Sequence, residues 1–524
     1  MATELLLGGA VYSSGNPDAT ALAVTDGVVV WVGTDDVGRA LHPDATVTDL
    51  RGRFVAPAFV DAHVHLTSTG LALDGLTLHD ATGPAQARAR LATAHAAGAP
   101  GELIWGTGWA DHCRLSTAEI DEIVGDRPVY LARIDEHSAV ASSALRHRID
   151  GDLPEVLVAD DHHRVRAAAR ALIGADQRER LQRRALDAAV ATGVVAVHEN
   201  GGPDISGVDD FRSLARLDHP VAVRRLWGQA ATDPDHARAL RDEMGAHGLA
   251  GDLFVDGAIG SHTARLREPY TDAPAERGRV YLDADTVYTH VRACTLAGIQ
   301  AGFHIIGDAA TDVVVEAFAA VADDLGGPAL ARCAHRVEHA EMVDGHAARI
   351  LARYGVIASM QPLFDAAWGG PDGLYANRLG HGRAATLNDF AMLAKTGVAL
   401  SFSSDSPVTP IDPWAAVRAA VHPHLPQHAI SARAAFAAVT RGGWRAGGIH
   451  DGLTGTLEPG APAHYAIWEV GEYTVAGSHA GVQRWSTDPR SRVPALPDLA
   501  PGTELPRCVR TVRAGTPIFT GSTW

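Results

Sequence analysis

Between Phe54 and Gly448, apolar β-rich runs alternate with Ala-, Arg- and Leu-rich helical stretches, and no other feature restricts the fold of this chain so strongly. Strands separated by helices build a parallel sheet. Eight runs can be counted: FVAPAFVDAHVH (54–65), GVVAVHEN (193–200), AVRRLWGQ (222–229), DLFVDGAIG (252–260), QAGFHIIGD (300–308), HRVEHAEM (335–342), GVIASMQPLF (355–364) and VALSFSSD (398–405). The stretches at 175–193, 310–326 and 387–397 carry apolar residues at three- and four-residue spacing and are predicted helices. The pattern predicts an α/β fold, a (β/α)8 TIM-like barrel over residues 57–449. Residues 66–192 are too many for one crossover helix, so an inserted lid subdomain is expected over about 70–170, overhanging the barrel mouth.

Both ends of the chain have a different texture. ELLLGGAVYS and ATALAVTDGVVVWVGT read as short strands with a hairpin at Asp26-Gly27, and HYAIWEV (464–470) and CVRTVRAGTPIFTG (508–521) repeat the pattern. Residues 1–56 and 450–524 are therefore expected to share a small composite β-sandwich domain.

Composition narrows the function. The net charge of −17 makes the chain a poor candidate for neutralising nucleic-acid phosphates or anionic membranes. Four dispersed cysteines without a CxxC pair fit reduced thiols. MATELLLGGAVYSSG lacks a basic n-region, and no stretch approaches the ~18 apolar residues of a membrane span, so the expected location is the cytoplasm. Lys395 is the only lysine, which leaves any lysine-dependent chemistry a single candidate.

Reactive groups of a barrel sit at the C-terminal ends of its strands. There the sequence places His63 and His65 on the first run, His304 on the fifth, His339 on the sixth and Asp405 on the eighth. Imidazole and carboxylate are suitable donors for a catalytic zinc, and His-x-His on a strand points both rings to one face. Alone that pair is a weak signal, because strand histidines also serve as hydrogen-bonded core residues. His198, which has no spacing partner, is not counted. Four histidines and an aspartate at strand ends point to a metal site.

AFVDAHVHL resembles the first-strand signature of the amidohydrolase superfamily. GWADHCRL, RPVYLARIDEHSAVASSAL, DGAIGSHTARLREPY, FHIIGDAATD, RVEHAEM and SSDSPVTPIDPW resemble its amidohydrolase-3 branch, which contains YtcJ-like proteins and N-substituted formamide deformylases. The resemblance runs from about residue 4 to 520. It implies that His63, His65, His304 and Asp405 are metal ligands, that His339 is a strand-six histidine acting on the substrate carbonyl or the metal, and that Asp405 is also the general base. Many members of the branch bridge two metals with a carboxylated lysine near strand four, and here that place holds Asp252. From the same backbone position a shorter Asp is not expected to reach the same bridge without local rearrangement. One zinc ion held by His63, His65, His304 and Asp405 is therefore the favoured arrangement. A two-metal site with Asp252 as a displaced acidic bridge is the alternative, and a solvated Asp252 at the start of a strand is the structural reading.

Candidate substrate-binding residues are Trp109, Glu136 and His137 in the insertion, His262 and Arg265 beyond run four, and Gln361 at the end of run seven, where Phe364 and Trp368 follow. Arg265 or Arg378 could pair with a substrate carboxylate. Asp308 is expected to cap the following helix or orient His304. The expected activity is hydrolysis of a C–N bond in a small molecule (an amide, N-substituted formamide or cyclic amide) through a metal-activated hydroxide. A deaminase or cyclic imide hydrolase on the same scaffold is one alternative, and a catalytically inactive ligand-binding barrel is another. The superfamily it resembles is often dimeric, which makes a homodimer the implied assembly.

Overall fold

The computed structural model of the chain describes residues 3–97, 101–474 and 493–524. The first apolar run is two strands. Phe54–Pro57 pairs antiparallel with Tyr465–Glu469, and Phe59–Val64 pairs in parallel with Val194–Gly201, which pairs in turn with Ala222–Trp227. A second parallel set runs in the order Gly302–Ile305, Arg336–His339, Ile357–Met360, Ala399–Phe402. Isolated parallel bridges join the two sets at Leu226–Gly248 and Leu249–Ala301, and a further one joins Val64 to Ser406 beyond the last strand. Buried residues of strands and helices, among them Phe59, Val197, Phe303, Val314, Val337 and Trp414, form one core. Burial on both faces of a parallel sheet gives such strands their continuous apolar character.

The run at 252–260 departs from expectation. It is not a regular strand, and only Phe254 bridges in parallel to His304. The cause lies in Asp256, whose carboxylate accepts the backbone N–H groups of Ile306 at 3.0 Å, Gly307 at 2.8 Å and Arg265 at 2.8 Å. Those donors are satisfied by a side chain in place of a ladder, so the backbone leaves the sheet as a loop.

After Phe59–Val64 the chain builds a separate five-stranded sheet from Leu76–Thr77, Ile104–Trp109, Val129–Arg133, Ser138–Ala141 and Leu157–Val158. It has its own buried cluster around Leu78, Leu91, Ile120 and Leu131, and it leads directly into the helix Ala159–Arg170.

Strands from both chain ends share one sheet, in the order Ala10–Val11, Phe54–Pro57, Tyr465–Glu469, Arg507–Arg513, Thr516–Thr520. Leu6 and Leu22 of a second, four-stranded sheet pack in one cluster with Val55, Ile467 and Val509 of the first. The hairpin stands where Asp26-Gly27 placed it, between Ala21–Thr25 and Val28–Gly33. Positions 475–492 of the C-terminal part lie outside the described residues. Among the described residues no helix is long and apolar enough to cross a membrane.

Candidate metal centre

Six side chains meet at the C-terminal ends of the parallel strands. His63 is the penultimate residue of Phe59–Val64, and His65 is the N-cap of the helix Leu66–Asp74. Their Nε2 atoms lie 3.3 Å and 3.1 Å from Asp405 Oδ1. His304 sits within Gly302–Ile305 and His339 closes Arg336–His339. His339 and Asp405 have φ of +67° and +54°, a left-handed backbone that costs non-glycine residues about 1–3 kcal/mol and clusters at functional sites. Asp405 is pinned there by its own N–H, which donates to the His63 carbonyl at 2.8 Å.

Asp252 is not solvated, which removes the reading of a surface residue at the start of a strand, and it stands among the histidines. It is 6% exposed, and its Oδ1 lies 3.5 Å from His63 Nε2, 3.5 Å from His304 Nδ1 and 3.6 Å from His339 Nε2, while Oδ2 lies 3.1 Å from His65 Nε2. Backbone depth supplies what the side chain lacks. Gly251 has φ of +85°, and a Cβ there would meet Asn200 Oδ1 at 2.4 Å; a Cβ on Gly228 would stand 2.8 Å from the Asp252 carbonyl oxygen. Two glycines thus let the 251–252 backbone sit deeper than a regular strand would allow.

The histidines are oriented from behind. His63 Nδ1 is 2.9 Å from Glu338 Oε2, His304 Nε2 is 3.2 Å from the Gly257 carbonyl, and His339 Nδ1 is 2.9 Å from Gln361 Oε1. Each outer nitrogen donates to an acceptor, which turns the inner nitrogen toward the site as the one a metal would take in place of its proton. Glu338 is held in turn by Arg336, whose Nη2 donates to Oε2 at 2.8 Å. Burial opposes charge on His63, yet the Asp252 and Asp405 carboxylates hold its pKa well above the ordinary histidine value. Burial would raise Asp252, yet the facing imidazoles hold it well below the usual carboxylate range.

The inward atoms His63 Nε2, His304 Nδ1, His339 Nε2 and Asp252 Oδ1 are buried without a hydrogen-bond partner. Such orphans cost about 1–3 kcal/mol each, and one divalent cation or two would satisfy them together. Three overlapping trios have donor atoms mutually within 4.8 Å: His63–His339–Asp405, His63–His65–Asp252 and Asp252–His304–His339. His304 joins only the last of these. The residues fit a metal.

Other candidates are sorted by the same geometry. Glu136 and His137 line a cavity of about 30 Å³ together with Asp252 and His304, and the His137 ring centre is 5.3 Å from that of His304. Phe364 and Trp368 line a neighbouring cavity against His339 and Asp405. Gln361 is not at a substrate surface; it is buried behind His339 and its amide donates to Ser403 Oγ at 2.9 Å. Trp109 belongs to the core of the insertion, where its indole N–H donates to the Leu131 carbonyl at 2.8 Å. His262 pairs with Asp272 at 3.0 Å, and neither it nor Arg265 lines the two cavities. Gly307 holds the N-cap position, and the Asp308 carboxylate, in the first turn, accepts the N–H of Ala309 at 2.9 Å and of Arg267 at 2.8 Å, so its role is at the helix start. Arg378 pairs with Asp272 and Asp111. Lys395 is exposed on Phe390–Thr396.

Sequence reasoning passed over Arg336 and Glu338, although both stood in the RVEH motif. Two charges at period-two spacing in an otherwise apolar strand were the available signal. His198 accepts the Arg336 Nη1–H on its Nδ1 at 3.0 Å behind the site, the hydrogen-bonded role of a strand histidine.

Comparison with known proteins agrees with this geometry. A model of the amidohydrolase family matches residues 46–519. The chain is 28% identical to Protein LONG AFTER FAR-RED 3 of Arabidopsis thaliana, over 89% of this chain and 87% of that one. It is 23% identical to the N-substituted formamide deformylase of Arthrobacter pascens, over 77% and 80%. A crystal structure of an uncharacterized metal-dependent hydrolase from Pyrococcus furiosus superposes with a TM-score of 0.69 at 26% identity, covering 89% of this chain and 98% of that one. With the family model spanning nearly its whole length, the chain belongs to the amidohydrolase family.

Proposed function

We propose that this protein is a metal-dependent hydrolase of carbon–nitrogen bonds in small molecules, with amides, N-substituted formamides and cyclic amides as its substrate class. The observation that carries this reading is the buried cluster of His63 Nε2, His304 Nδ1, His339 Nε2 and Asp252 Oδ1, turned toward one another without a hydrogen-bond partner. The relative named N-substituted formamide deformylase supports the choice of bond. The architecture we infer is a (β/α)8 barrel over 57–449, closed through the Val64–Ser406 bridge, with a sandwich from 1–56 and 450–524 and a lid over about 70–170.

His63, His65, Asp252 and Asp405 would hold one ion, and Asp252, His304 and His339 a second, with Asp252 shared; zinc is the metal the donor set suits best. The metal, when bound, supplies Lewis acidity to the carbonyl and lowers the pKa of a water. Asp405 would take the proton of the attacking water on a carboxylate oxygen and pass it to the leaving nitrogen. Glu338 and Gln361 keep the His63 and His339 rings from rotating as this happens. If only one ion is held, His339 is free to hydrogen-bond the substrate carbonyl.

Metal analysis of the purified protein, followed by an amide panel with zinc, manganese or cobalt, tests the reading. Released carboxylate without free ammonia indicates hydrolysis of a substituted amide, and ammonia from an amino-heterocycle indicates a deaminase. A protein that keeps no metal and turns over none of the panel would instead be a binding barrel.

A further inference from the structure

Facing the metal centre from the insertion are Arg166 and Arg170, one turn apart on the helix Ala159–Arg170 and therefore on the same face. They are 7% and 9% exposed, and both line the cavity that holds Asp252, His304 and Asp405. Among the described residues neither guanidinium has an ion-pair partner. Arg166 donates to the Asp204 carbonyl at 2.6 Å; Arg170 donates to Ser68 Oγ and lies 5.5 Å over the Trp105 ring. The Nε atom of each is buried with no hydrogen-bond partner.

Two guanidinium groups removed from water without a direct ion pair are costly. Asp210 and Glu199 act on Arg170 from a distance, and Asp210 is itself paired with Arg178 at 3.3 Å. Glu136 shares the cavity, but burial pushes its pKa up to about 7 against the pull of both arginines. On the cavity side, therefore, Glu136 is the one carboxylate besides the metal-centre and Asp135 groups that the two arginines face.

We propose that Arg166 and Arg170 form an anion subsite that receives a carboxylate on the substrate, next to the scissile carbon–nitrogen bond. This rests on the hydrolase reading above and deepens it. A carboxylate is small and planar, and a guanidinium fork binds it bidentately; both arginines line the same cavity as the metal-centre residues. On the other side of the metal ligands, Ile259, Phe364, Trp368 and Leu374 offer an apolar wall. The substrate class is then an amide with a carboxylate on one side and an apolar group on the other, as in an N-acylated amino acid.

The test is equilibrium dialysis of the metal-loaded protein with N-acetylglycine and its neutral counterpart N-acetylglycinamide, each verified intact by chromatography. The carboxylate is expected to bind at least about tenfold tighter, with the preference falling to within about twofold in Arg166→Gln and Arg170→Gln. The lysine variants, which keep charge and lose the fork, should fall between. Arg164→Gln, exposed on the same helix, should leave the preference intact, and thermal melts establish that each variant is folded. Equal affinity for the two probes, no binding of either at millimolar concentration, or a preference that survives in both glutamine variants would overturn the subsite. Retained anion preference without turnover counts against the hydrolase reading alone. Retained turnover without preference counts against the subsite alone.

Discussion

The two halves of the site differ in how their polar groups are supported. On the barrel side three of the four rings are backed by a second residue: Glu338 and Arg336 behind His63, Gln361 and Ser403 behind His339, and the Gly257 carbonyl behind His304. On the insertion side Arg166 and Arg170 are buried with no direct ion pair among the described residues, beside the half-buried Glu136. Anchored groups hold a fixed geometry, which chemistry requires. Guanidinium groups with unused N–H donors leave room for a ligand to complete them. The difference assigns reaction to the barrel ends and selection to the insertion.

The largest effect should come from the barrel side. Asp405→Asn is expected to lower kcat by about 10²–10⁴ with the fold intact, whereas Arg170→Gln should act chiefly on KM for anionic substrates. Steady-state kinetics on a single substrate separates the two, and equal losses of kcat in both variants would erase the division. Next in size, Arg336→Met leaves the Glu338 carboxylate buried beside His63 without its main counter-charge, and should cost about 3–5 kcal/mol in denaturant unfolding. A smaller change is expected from Glu338→Gln. It should weaken metal binding by about 10–100-fold in chelator competition, because the His63 ring loses its charged anchor.

What could be read from the sequence follows the same divide. His63, His65, His304, His339 and Asp405 end apolar runs, so strand periodicity alone brought them to one rim. The position of Asp252 is not legible in the sequence, because it depends on how closely Gly251 and Gly228 let the backbone pack, a property of packing and not of residue type. The run at 252–260 looked like a strand by composition, but Asp256 diverts the backbone donors around it. Arg166 and Arg170 gave no signal. In the sequence they belong to an ordinary Arg/Ala-rich helix, and only the tertiary placement of the insertion turns that face toward the metal ligands. Trp109 and His262 were drawn into the site by their proximity to motifs, although the first fills a core and the second pairs with Asp272.

The smallest effect sharpens the insertion side. Glu136 has its pKa raised to about 7, so lowering the pH from 8 to 6 protonates it and removes the negative charge that competes for Arg166 and Arg170. Affinity for an anionic probe should therefore rise a few-fold as pH falls, and Glu136→Gln should flatten that profile at its low-pH level. A profile that rises with pH would place Glu136 elsewhere in the energetics of binding.

Anomalous diffraction from zinc-loaded crystals bears most directly on the metal centre. Peaks are expected about 2.0–2.2 Å from His63 Nε2, His65 Nε2, His304 Nδ1 and His339 Nε2, with Asp252 touching each ion present. A cation bound elsewhere, or none at these six side chains after loading, would contradict the assignment.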